Sequence, residues 1–324
     1  MNVPPPDESS AAAVVELEAS RAATDDLLGE ARLSPSVAAA PSIDMRAERR
    51  QARRERRRLL FKRPSFIIGS IVLLFWLVCA IGGGRITPFD PILDFDTSNL
   101  RPSADHWFGT DQLGRDVLSR VMAGARDVLI VAPISATLSI AAGAVLGLIM
   151  GYYRGWVDEV ASRFVEALLS IPLVLVALLV TTTLGTSRIV VIGTVAGLFT
   201  PVVTRTVRTA VLAESQLDYV TSARLRGESG FFVMLREILP NVTGSLVVEF
   251  TVRIGYAVFT VATLSFLGAG IQLPSPDWGL TINATYPLII SGQWWPTLFP
   301  ALAIASVVIA TNLVADSIEA VLAE

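Results

Sequence analysis

Residues 128–153 read VLIVAPISATLSIAAGAVLGLIMGYY, 26 residues without a charge. A helix of that length rises about 39 Å, more than the ~30 Å hydrocarbon core of a bilayer. Five further apolar runs share this character: 66–84, 167–184, 189–204, 241–267 and 296–314. Each is long enough to cross, 189–204 by drawing on its polar flank. Across all 324 residues 52% are hydrophobic and 17% charged, whereas a soluble domain carries about 25% charged residues. An ordinary soluble enzyme is excluded. The expected fold is all-α: a polytopic membrane protein of six transmembrane helices.

Three singletons narrow the chemistry. Cys79 is the sole cysteine, so neither an internal disulfide nor a cysteine metal site can form. Lys62 is the sole lysine and lies in Phe61-Lys62-Arg63, so no phosphate-cradling Gly-Lys-Ser/Thr loop exists. His106, the sole histidine, lies in a polar loop, and no Gly-x-Ser-x-Gly elbow accompanies it. No catalytic residue and no metal ligand set is assigned.

The cations set the orientation. Residues 1–45 hold eight acids and two arginines and are rich in Pro, Ala and Ser. They read as a disordered acidic tail, with alanine propensity allowing a short helix at 11–28. Ten cations follow within 46–63. A basic block can bind nucleic acid, but directly before an apolar run it holds that end in the cytoplasm and rests on anionic lipid. Six spans return the C-terminus to the cytoplasm. The aspartate-rich loop 86–126 then falls outside, and loop 205–240, with Arg205, Arg208, Arg224, Arg226 and Arg236, falls inside. Loop 270–295 falls outside with Trp278, Trp294 and Trp295 at interfacial positions. The organisation is a tail (1–45), a basic juxtamembrane segment (46–65), a first span (66–85), an outer loop (86–126) and a five-span core (127–320).

Within the spans, Gly143, Gly147 and Gly151 form a strip without side chains, suited to close helix packing inside the subunit. Pro133 and Pro172 each remove a backbone donor and predict kinks. Glu249 and Arg253 are an ionisable pair at i, i+4 within an apolar run. Two readings stand: they line a solute pathway, or they form a salt bridge that locks helices.

The loop between the fourth and fifth runs reads Asp218-Tyr219-Val220-Thr221-Ser222-Ala223-Arg224-Leu225-Arg226-Gly227-Glu228, then reaches Leu239-Pro240. A small-residue helix ending at a glycine makes a surface knob. Ser222 and Ala223 let a partner approach, Gly227 permits a left-handed end, and Pro240 starts the next helix. The knob either lies on the bilayer or docks another protein.

This loop resembles the cytoplasmic signature of permease subunits of binding-protein-dependent ABC importers: Glu-Ala-Ala, three residues, Gly, nine residues, Ile-x-Leu-Pro. Thr221-Ser222-Ala223, Gly227 and Leu239-Pro240 fall at that spacing, with Thr221, Ser222 and Glu237 replacing the family Glu, Ala and Ile. The segments 106–120 (containing Gly109, Asp111, Gly114, Arg115 and Asp116), 155–158, 170–172, 264–268 and 276–279 resemble the second permease of the dipeptide/oligopeptide/nickel branch. The resemblance covers about residues 60–320. Val261, where the family often has Glu, and the ending Ala315-Asp316-Ser317-Ile318-Glu319 depart from it.

The resemblance implies a type I (MetI-like) permease fold in the plasma (inner) membrane. A homologous permease would enclose the solute pathway with it. Two cytoplasmic ATPase subunits, carrying ATP and Mg2+, would dock on a coupling helix at about 215–235, through Asp218, Tyr219, Thr221, Ser222, Ala223, Gly227 and Glu228. A solute-binding protein would deliver di- or oligopeptides to loops 86–126 and 270–295. This chain would bind no cofactor and no nucleic acid, and would touch membrane lipid. Import of nickel or another small solute fits the same architecture; a secondary transporter or a membrane-embedded enzyme are rivals of other classes. In loop 106–120 the alternating charges of Asp111, Arg115, Asp116 and Arg120 are expected chiefly to brace the loop, at helical spacings.

Overall fold

The computed structural model describes Ser20, residues 58–93 and residues 97–323. The chain divides into two compact units, Met1–Glu55 and Arg56–Glu324, and all the helices below belong to the second. Apart from Ser20, the acidic tail with its helix at 11–28 lies outside the described residues, as does the arginine run at 46–57. Among the described residues there is no strand, only a lone bridge between Thr110 and Asp116.

Local chemistry sets the helix ends. Helix α1 (Pro64–Gly82) opens on a proline, whose missing N–H costs nothing in the first turn, and stops at Gly83 with φ +50°. Helix α2 (Val117–Tyr153) is capped by Asp116, which accepts from the Ser119 amide at 2.8 Å. Next come α3 (Gly155–Leu169), α4 (Leu173–Leu184), α5 (Arg188–Glu214, capped by Ser187) and α6 (Asp218–Leu225). A π-helical turn, Val233–Ile238, leads into α7 (Leu239–Phe266). Helix α8 (Trp278–Thr285) and a 3-10 segment precede α9 (Trp295–Ala323).

Among the described residues, five helices are long and apolar enough to cross a bilayer. The expected third span at 167–184, with its kink at Pro172, is a bent pair of helices rather than one continuous helix. Residues 167–169 end α3, the chain bends by 84° between α3 and α4, and Pro172 stands at the N-cap of α4. A residue before proline avoids the helical region, so the run breaks rather than kinks. The 12 residues of α4 rise only about 18 Å, so the sixth crossing exists only if the bent pair counts as one. Pro133, by contrast, stays inside α2.

Two further expectations change at the end of the bundle that carries loops 86–126 and 270–295. Residues 117–126 are the first turns of α2, not loop. Trp278 and Trp295 are buried rather than interfacial: the Trp278 indole donates to Val121 O at 2.8 Å, and that of Trp295 to Thr110 O at 3.0 Å. A tryptophan inside the protein needs a partner for its N–H, and both find a backbone carbonyl. Trp294 is exposed.

The glycine strip packs within the subunit, as expected. A Cβ on Gly143 would come 2.5 Å from Val203, on Gly147 2.7 Å from Val207, and on Gly151 2.7 Å from Val211. Helix α5 therefore lies directly on the α2 backbone. One apolar cluster, with Trp76, Val128, Val195, Val258 and Trp278, joins α1, α2, α5, α7 and α8. A second, with Leu148, Val207, Val211, Val220, Ala223, Ile238 and Val242, joins the other ends of α2, α5 and α7 to α6.

Candidate functional site

Helix α6 is eight residues long, too short to hold itself together in water. Packing holds it. Val220 and Ala223 are fully buried against Val207, Val211, Met234 and Ile238. These two positions lie three apart, on one helical face. Ala223 was expected on the partner-facing surface, but it points inward, and its small side chain lets α6 sit close on the cluster. Asp218, Thr221 and Ser222 remain exposed.

Polar contacts fix the same helix. The Tyr219 hydroxyl donates to Glu214 Oε1 at 2.6 Å, at the end of α5, and accepts from Asn241 Nδ2 at 3.0 Å, at the start of α7. Burial first, and the Glu214 carboxylate second, push the Tyr219 phenol up to about 12. The Arg224 guanidinium lies 4.7 Å over the Tyr152 ring on α2. Arg154, just past α2, donates to Ser215 Oγ at 2.7 Å. Gly227 takes φ +77°, and Glu228 N donates back to Ala223 O at 3.3 Å, a glycine-type helix end. The Glu228 carboxylate accepts from Arg226 Nε at 2.8 Å. A push on α6 therefore reaches α2, α5 and α7 together.

Sequence reading missed Leu225. It is 84% exposed at the tip of a helix whose other apolar residues are buried. The signal was present: Val220 and Ala223 set the inward face, and Leu225 is out of phase with it. Phe231, just beyond, is 68% exposed.

Glu249 and Arg253 meet as expected from their spacing. Arg253 Nε donates to Glu249 Oε1 at 2.7 Å, and each side chain is 12% exposed. Arg253 also lies 5.6 Å over the Phe199 ring of α5 and 5.3 Å over that of Tyr256. The pair thus reaches across from α7 to α5.

At the other end, the loop motif is a buried network. Asp111 accepts from the Leu113 and Arg115 amides at 2.9 and 3.0 Å and from Arg115 Nε at 2.8 Å. These residues form a turn within the loop. Gly109 and Gly114 take φ +73° and +75°, and a Cβ on Gly109 would come 2.4 Å from Leu100 O. Asp116 accepts from Ser119 Oγ at 2.7 Å and sits 2.9 Å from His106 Nδ1. Since the Ser119 hydroxyl leans on the aspartate rather than on the histidine, this trio has not the order of a nucleophilic triad. Arg120 donates to Pro91 O at 3.0 Å and to Thr281 Oγ1 at 3.2 Å, tying α2 to α8. Of this region Trp107 is 69% exposed.

Residues 143–324, which include α6 and the Glu249–Arg253 pair, match the family described as binding-protein-dependent transport system inner membrane component. The chain belongs to this family. It is similar to the dipeptide transport system permease protein DppC of Bacillus subtilis (strain 168), at 37% identity over 265 residues, covering 81% of this chain and 82% of the relative. The glutathione transport system permease protein GsiD of Pectobacterium atrosepticum is 36% identical over 290 residues, 89% of this chain and 95% of that one. GsiD of Escherichia coli O1:K1 / APEC is 39% identical over 252 residues, 77% and 82% respectively. The chain is thus a multi-pass permease of the membrane, and α6, eight residues long, lies within the segment 215–235 where the sequence reading expects a coupling helix.

Proposed function

We propose that this permease forms, with a homologous second permease, the pathway of an ATP-driven importer for di- and oligopeptides. The peptide class is supported by the printed functions of the dipeptide and glutathione relatives. Both termini and the α6 knob are on the cytoplasmic side, and loops 86–126 and 270–295 face a solute-binding protein. Two ATPase subunits, which carry the nucleotide and Mg2+, grip α6 of each permease. The permease itself performs no bond chemistry.

The observation that carries this reading is the two-sidedness of α6. Its inward face is bolted to three long helices by Val220, Ala223, Tyr219 and Arg224, while Thr221, Ser222 and Leu225 stand free for a partner. ATP-driven closure moves the knob, and the spans follow as a unit. A conformational change of this kind needs a differential contact in the two states, and α6 supplies the handle. Asp218, Gly227 and Glu228 shape its two ends.

Uptake of radiolabelled dipeptides and tripeptides by cells with and without this gene tests the assignment, with 63Ni2+ as the comparison. Peptide uptake that depends on the gene is expected. Gene-dependent nickel uptake without peptide uptake would overturn it.

A further inference from the structure

Beside the end of α1 lies a groove of about 610 Å³ that the transport reading does not use. Leu77, Ala80, Ile81 and Leu129 form its apolar wall, and Arg85 and Arg126 stand at its rim. Both arginines are exposed, and neither guanidinium has a hydrogen-bond or ion-pair partner among the described residues. The groove continues an exposed apolar stripe along α1: Ile67, Ile71, Leu74, Val78 and Ile81, spaced by threes and fours on one helix face. A surface of this kind faces acyl chains. The cations stand where α1 ends.

We propose that this groove binds one anionic phospholipid, its phosphate held between Arg85 and Arg126 and an acyl chain laid along Leu77, Ile81 and Leu129. The guanidinium forks match phosphate oxygens in charge and geometry, and a basic pocket between transmembrane helices suits an anionic headgroup. Glycine opens the site: Gly82, Gly83 and Gly84 line it with no side chain. Nothing lies within 4 Å of a Cβ on Gly83, and only Pro91 Cδ, at 3.9 Å, near one on Gly84. The lipid would set the tilt of α1 against α2, independently of the coupling helix.

The test uses the full chain with the subunits that copurify, in neutral detergent, by native mass spectrometry and thermal melting. Phosphatidylglycerol should remain bound about tenfold more than phosphatidylcholine and should raise the melting temperature. The double variant Arg85→Gln/Arg126→Gln should lose both effects. Gly84→Leu keeps both charges, fits the backbone and fills the mouth, so it should also lose retention. Equal retention of the two lipids, or undiminished phosphatidylglycerol binding in both variants, would overturn the site. Stabilisation by inorganic phosphate as strong as that by the lipid would make it a free-anion site and overturn the lipid assignment. So would a Gly84→Cys crosslink to another permease chain in place of lipid.

Discussion

The Tyr219 hydroxyl sits 2.6 Å from Glu214 Oε1, which joins α6 to the end of α5 by one charge-assisted hydrogen bond. The same oxygen accepts from Asn241 on α7. A single atom therefore links the knob to two spans. Tyr219→Phe removes both bonds and keeps the ring, at a stability cost of about 1–3 kcal/mol. The complex should still assemble and hydrolyse ATP, while peptide moved per ATP falls several-fold. Measurement in proteoliposomes checks this; an unchanged ratio would mean that packing by Val220 and Ala223 alone carries the motion.

At Gly227 the strain is in the backbone. Its φ is +77°, and nothing stands within 4 Å of a Cβ there, so added volume is harmless but a β-branched residue is not. Gly227→Val should uncouple ATP hydrolysis from uptake or prevent assembly. Gly227→Asn, which tolerates the left-handed region, should keep most activity. Equal behaviour of the two variants in an ATPase and uptake assay would contradict this account of the helix end.

The Glu249–Arg253 bridge separates its two readings through a double change. Arg253→Leu alone leaves a largely covered carboxylate unpaired, a loss of about 3–5 kcal/mol. Adding Glu249→Gln should restore the melting temperature. The contacts with Phe199 and Tyr256 favour helix locking, so uptake should return with stability. A stable double variant without uptake would instead assign the pair to the pathway.

A pH dependence of stability is expected at Asp277, the N-cap of α8. It is fully buried, and burial, with the nearby Asp127 charge adding to it, pushes its carboxyl up to about 6, against the opposing bond from the Leu280 amide. The folded protein keeps this proton where the unfolded chain, with a carboxyl near 4, has lost it. Its contribution is therefore complete below about pH 4 and declines as pH rises through about 6, by at most about 3 kcal/mol. Asp277→Asn keeps an acceptor for the Leu280 amide and removes the ionisation. Its melting temperature relative to the parent should rise between pH 5 and pH 8. A difference that stays flat across that range would refute the assignment.

Most of the architecture was legible because bilayer crossing demands length and apolarity, both of which residues 128–153 display openly. The break at Ser170–Pro172 was not, since composition does not distinguish a kinked span from two helices at 84°. The glycine strip was readable because a missing side chain has one main use inside a membrane. Of α6, the sequence revealed the end at Gly227, but not the start at Asp218 within the broader 215–235 segment, nor the facing of Ala223, which depends on where α5 and the π turn place their valines and Ile238. Asp111 and Arg115 read as partners that brace the loop; that two glycines with positive φ fold them into a turn is a tertiary choice that charge spacing cannot reveal.

The central claim is that α6 is gripped by an ATP-hydrolysing partner. Its most direct test is site-specific crosslinking in cells, with Ser222→Cys or Leu225→Cys in a chain whose buried Cys79 is replaced by alanine. Both cysteines should capture an ATPase subunit, with a yield that changes between nucleotide-free and ATP-bound complexes, while Ala223→Cys on the inward face should not. If the two exposed positions never crosslink to a nucleotide-hydrolysing protein in an intact complex, the account fails.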